Sequence, residues 1–164
     1  MMRRSSSRAL LSLGVAMLAA LSALVPAPAC AQSAFTTRVS SALVPLVGVV
    51  VGGAESVSFS GQAQIKSNVV TDPDFGSVPT VVLTIDMGGV TGSGALTGGQ
   101  YLSTDREILT RRLAAGDTVQ YTFPFYLSGT SPTSSAHLGR ASFNLSFDVN
   151  TMQLVGATGR IDTP

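Results

Sequence analysis

Apolar and polar residues alternate along most of this chain. In "ESVSFSGQAQIKS", Val57, Phe59, Ala63 and Ile65 take turns with Ser56, Ser58, Ser60, Gln62, Gln64 and Lys66. Successive side chains of a strand point to opposite faces, so this spacing predicts one buried face and one wet face. Gly61 interrupts the apolar series and marks a bulge or a close backbone approach. "PTVVLTIDM" puts Val81, Leu83, Ile85 and Met87 inward and Thr84 and Asp86 outward. "DTVQYTFPFYLS" aligns Val119, Tyr121, Phe123, Phe125 and Leu127, with Pro124 on the other side. Proline cannot donate to a ladder, so this strand is expected at an edge or a bulge.

"RASFNLSFDVN" is the most regular segment, with Ala141, Phe143, Leu145, Phe147 and Val149 on one face. A hairpin should join it to "TMQLVGATGRI". A two-residue turn at Asn150-Thr151 would set Phe147 opposite Leu154 and Val149 opposite Met152, keeping the apolar faces together. Asn suits the left-handed position of such a turn and Thr does not, so a longer turn is the alternative.

Two segments are less regular. "VSSALVPLVGVVVGG" is uncharged from Ala42 to Gly53. Pro45 and Gly48 argue against a helix there, and Val49 to Val51 argue for a buried strand. "STDREILTRRLAAGD" fits a helix capped by Thr104 and Glu107 and ended by Gly116, or a strand. Its neighbours are all strands, which favours a strand. "VTDPDFGSVP", "MGGVTGSGALTGG" and "SGTSPTSSAH" carry turn residues and read as loops. These elements predict an all-β fold: a single antiparallel β-sandwich, immunoglobulin-like or jelly-roll in type, of about six or seven strands. A small β-barrel is the alternative.

The first residues change the picture of the domain. Arg3, Arg4 and Arg8 precede an uncharged apolar run from Ala9 to Val25, then Pro26, Pro28 and Ala29-Cys30-Ala31. That is the form of an export signal, residues 1–31, cut after Ala31. It leaves one domain over residues 32–164, with no membrane span, in the periplasm or outside the cell. Cys30 is the only cysteine of the 164 residues. A lipoprotein acylated on Cys30 is the alternative, although Ala27 stands where Leu is usual. After the cut, seven Lys and Arg face nine Asp and Glu, and Lys66 is the only lysine. No basic patch points to nucleic acid.

Candidate chemistry is sparse. Asp74-Phe75-Gly76 with Lys66 mimics a kinase pair, but eight residues cannot hold the glycine loop and catalytic loop a kinase needs. An EF-hand from Asp72 fails because Leu83 stands at its glutamate position. What remains is a loop calcium site from Asp72, Asp74 and Asp86, against the simpler reading of an Asp-Pro turn. His137 is the only histidine. With Ser134 or Ser135 it suggests a hydrolase, but no nucleophile elbow accompanies it. Asp105 with Glu107, or Asp117, could form a glycosidase pair, although capping and turn roles explain all three. Gly88 to Gly99 lacks the Lys-Ser/Thr of a phosphate loop. Tyr101 and Tyr126 are the outward aromatic candidates, and Tyr126 is the preferred surface contact.

The expected protein is therefore a non-enzymatic, exported β domain with a structural, adhesive or protein-interaction role in a bacterial envelope. It needs no cofactor, and its partner is a protein or a glycan; the Ala42 to Val51 run offers a strand to exchange with a second copy, although the preferred reading is the domain's own first core strand. The alternatives are a calcium-assisted small-ligand or glycan module, using the loops Asp72 to Gly76 and Gly88 to Gly99, and a hydrolase.

Overall fold

The computed structural model describes residues 36–71, 79–130 and 136–164. The export signal, Cys30, Asp72, Asp74, Ser134 and Ser135 lie outside these residues. The fold is all-β, and the described residues contain no helix. Nine strands follow in order: β1 (Thr36–Val50), β2 (Val57–Thr71), β3 (Thr80–Asp86), β4 (Val90–Gly94) and β5 (Gln100–Leu102), then β6 (Arg106–Arg112), β7 (Gly116–Leu127), β8 (His137–Asp148) and β9 (Gln153–Asp162).

The period-two segments form the expected strands because their apolar residues share one interior. Val57, Phe59, Ala63 and Ile65 of β2 are buried, as are Val81, Leu83 and Ile85 of β3 and Ala141, Phe143, Leu145 and Phe147 of β8. Edge-to-face rings join β2 to β7 within the core, with Phe59 centred 5.9 Å from Phe123 and 4.9 Å from Phe125. Such pairs add to the area that burial removes from water.

The strands form one mixed sheet in the order β1-β9-β8-β7-β5-β4-β2-β3-β6, with a further pairing of β1 to β2. Because β1 meets both β9 and β2, the hydrogen-bonded order closes on itself. The β1–β2 hairpin is in register from Thr36↔Thr71 to Val50↔Val57. The contact of β1 with β9 is parallel, at Gly48↔Ile161, so the sheet is not purely antiparallel. A Cβ at Gly48 would run into the Ile161 carbonyl oxygen, so the absence of a side chain permits this seam. Pro45 fits in β1 because its ladder partner, Gln62, lies on the β2 side and the β9 side has little ladder to interrupt.

Gly61 marks the second special position. The early part of β2 pairs with β4, up to Gly61↔Val90, and the later part pairs with β3, from Gln64↔Asp86. At the changeover Gly61 has φ 145°, Gln62 N–H donates to Gly89 O at 3.1 Å, and a Cβ on Gly61 would strike that same oxygen. The close approach expected from the sequence is the point where one strand changes neighbours.

Four expectations need correction. The strand count is nine, because the glycine segment 88–99 contains β4 and leads into β5. Val90, Gly92 and Gly94 alternate inward, but glycine gives no side chain by which the pattern could be seen. Tyr101, expected to face outward, is buried and centred 5.8 Å from Phe125, whereas Glu107 lies on a strand as its neighbours suggested. The β8–β9 hairpin keeps Phe147 opposite Leu154, but its loop is Val149 to Met152 and Val149 is exposed. Met152, not Asn150, takes the left-handed conformation (φ 57°), while Asp148 Oδ1 accepts the N–H groups of Asn150 at 2.8 Å and Thr151 at 3.3 Å. Finally, β1 is only half buried.

Candidate interaction surface

The half-buried strand is the most unusual surface of the molecule. Val44, Leu46 and Val50 of β1 point into the core. The alternate residues point out: Val39 is 67% exposed, Leu43 63%, Val47 66%, Val49 48% and Val51 60%. Their neighbours on β2 are polar, with Val39 beside Asn68, Leu43 beside Gln64, Val47 beside Ser60 and Val49 beside Ser58. On the other flank, Leu154 N–H donates to Ser40 Oγ at 2.9 Å, and the next residue, Val155, is 65% exposed. The result is an apolar stripe about 40 Å long, interrupted by Ser41 and rimmed by hydroxyls, amides and the Lys66 side chain opposite Ser41. Its exposed side chains approach the few hundred Å² at which an apolar patch usually marks a contact.

One end of the stripe is fastened by Glu55, in the connection from β1 to β2. Its carboxylate accepts the Thr97 hydroxyl at 2.7 Å, the N–H groups of Leu96 and Thr97 at 2.8 and 3.0 Å, and the Tyr101 hydroxyl at 2.9 Å. The Thr97 hydroxyl and these two N–H groups hold the Glu55 carboxyl down to about 2. Burial of its ring, and then the hydrogen bond to Glu55, raise the Tyr101 phenol. Nothing in the sequence distinguished Glu55, because its partners lie about forty residues away and half of them are backbone N–H groups.

Asp86 is engaged as well. Arg106 donates to its Oδ2 from Nε and Nη2, and Gly88 N–H donates to Oδ1 at 2.9 Å. The Arg106 hydrogen bonds hold the Asp86 carboxyl below its usual value. Asp72 and Asp74, its proposed calcium partners, lie outside the described residues. Among the described residues no three His, Cys, Asp or Glu side chains come together as a metal site.

His137 opens β8 and packs on rings, its centroid 5.5 Å from Phe125 and 6.5 Å from Tyr101. Its suggested serine partners lie outside the described residues. Glu107 is on β6 and Asp117 on β7, two strands that share no ladder. With Asp105 and Asp86, Glu107 adds negative charge near Tyr121, whose phenol is raised first by burial and then by those charges. Tyr126 lies on the outward side of β7, half-buried beside Leu102.

No family model, curated protein or solved structure matches the chain. The surface has to be interpreted from its own chemistry.

Proposed function

We propose that this protein is an exported, non-enzymatic assembly module, and that the outward face of β1 is where it meets a second copy of itself. One observation carries the reading: the row of exposed Val and Leu residues, four on β1 and Val51 just beyond its end. Core packing explains the inward residues of β1 and gives no reason for the outward ones. Interfaces place apolar groups at the centre and polar groups at the rim, and this stripe has that arrangement. From Val39 to Val51 the segment carries no charge of its own, so like-charge repulsion between two copies facing each other is confined to its border, where Lys66 stands opposite Ser41. Sheet faces stack about 10 Å apart, and a narrow stripe makes such stacking weak and reversible.

The non-enzymatic part rests on how the titratable groups are used. Glu55 fastens two turns, Asp86 holds Arg106 and Gly88, and His137 packs on aromatic rings. Export rests on the arginines, apolar run and small-residue cleavage pattern of residues 1–31.

Sedimentation equilibrium tests the assembly. The expected result is reversible self-association of the wild type, and a monomer for the double substitution Leu43→Lys with Val47→Lys. A wild type that stays monomeric at high micromolar concentration, or a double variant that associates equally well, overturns the reading.

A further inference from the structure

The outward face of β7, β8 and β9 holds a groove of about 300 Å³. The register arranges its side chains in rows. Thr118, Asn144 and Thr158 form one row, and Gln120, Ser142 and Arg160 form the next. A third row, Thr122, Arg140 and Asp162, borders them. At the centre, Ser142 lines the groove yet is only 9% exposed, and its Oγ is buried without a hydrogen-bond partner. Arg140 Nε, in the bordering row, is also buried without one. Unmade hydrogen bonds of this kind cost stability, and two of them side by side on an outward face call for a partner.

The rest of the groove defines that partner. Thr118 Oγ1 donates to Asn144 Oδ1 at 3.0 Å, which leaves the Asn144 amino group to donate outward. Arg160 Nε donates to Asp162 Oδ2 at 3.0 Å, which steadies the guanidinium and offsets its charge. The lining is hydroxyl, carboxamide and guanidinium, with no carboxylate and no large apolar side chain. Such a surface both donates and accepts hydrogen bonds over a flat floor. Gln120 and Arg160 flank Ser142 in its row as exposed long side chains; Arg160 is tied to Asp162, so the Gln120 side is the one that opens by a change of rotamer.

We propose that this groove binds a saccharide segment, with one sugar hydroxyl on Ser142 Oγ and a second acceptor on Arg140 Nε. Sugar hydroxyls donate and accept at once, as this lining does. The two arginines outnumber the one aspartate of the three rows, so a uronate carboxylate also suits the position at Arg140.

Amide chemical shifts of isotope-labelled protein, titrated to millimolar concentration with a neutral glucan hexasaccharide and with an oligogalacturonate of equal length, test the proposal. Saturable shifts of Gln120, Ser142 and Asn144 are the expected result. Shifts with the uronate alone assign the anchor to Arg140, and shifts with both sugars assign it to the Ser142 row. Ser142→Ala should weaken binding about 2- to 10-fold, while the melting temperature stays equal or rises because the unpaired hydroxyl is gone. The proposal is overturned if neither sugar moves these signals, or if the shifts map to another face. It also fails if Ser142→Ala lowers the melting temperature without changing affinity, the result expected of a hydroxyl held by a structural water.

Discussion

The outward faces of β1 and β8 differ although their inward faces are alike. Inside, Val44 and Leu46 of β1 and Phe143 and Leu145 of β8 are buried at two-residue spacing in the same core. Outside, β1 shows Val39, Leu43, Val47 and Val49, whereas β8, after Leu138 near its start, shows Arg140, Ser142, Asn144 and Ser146. The core dictates every second residue of a strand and leaves the others free. Where the free residues are polar and exposed, as Asn144 and Ser146 are, water is a sufficient explanation. Where they are valine and leucine, strand propensity explains a preference for β-branched residues, but not a row that is apolar at every outward position from Leu43 to Val49.

The largest effect separates the two faces of β1 itself. Leu46 is fully buried, and Gly159 lies so close to it that any Cβ there would collide. Leu46→Ala should cost about 2–5 kcal/mol, from lost burial and the cavity left behind. Urea denaturation measures this, and a cost below about 1 kcal/mol would mean that β1 is not seated in the core as described.

A smaller effect concerns the end of the stripe held by Glu55. Its folded pKa is about 2 against 4.5 for the free side chain. The sign follows from linkage: a lowered carboxyl pKa stabilises the fold above the unfolded value, and that stabilisation is lost as the pH falls through the folded value. The melting temperature should therefore hold steady down to about pH 4.5 and decline from there toward pH 2. Glu55→Gln should flatten part of this decline. Some of it should remain, because Arg106 lowers Asp86 and the Asn150 N–H lowers Asp148. A decline of unchanged size in the variant would show that the clamp contributes nothing in solution.

The same contrast between inward and outward residues explains what the sequence disclosed. Alternation revealed β2, β3, β7 and β8 because their inward residues are large and their outward ones polar. It concealed β4, where glycine occupies inward positions, and it misled on β1, where both faces are apolar and the segment looked fully buried. Pro124 was informative because backbone chemistry alone restricts it: its ladder partner is Leu138 of β8, and β5 reaches β7 only at Tyr126 and Leu127. The stripe and the groove were not legible. Each joins residues from separate strands, and period two does not state the register that brings Ser142 between Gln120 and Arg160. Glu55 was missed for the same reason, since its clamp depends on a turn from a distant part of the chain.

The smallest effect on the single folded chain should come from Val47→Lys, one residue away from the largest. Val47 is 66% exposed and its β2 neighbour is Ser60, so a lysine there keeps its ammonium in water and its stem along the strand. The stability of the monomer should change by no more than about 0.5 kcal/mol, as read by urea denaturation at concentrations too low for association. At concentrations where the wild type associates, the same substitution should weaken the association, because it places a charge in the centre of a dry stripe and, across a two-fold axis, near its own copy. A large loss in the dilute monomer would mean that Val47 is packed within its own domain, and the apolar row of β1 would then be part of the fold's own structure.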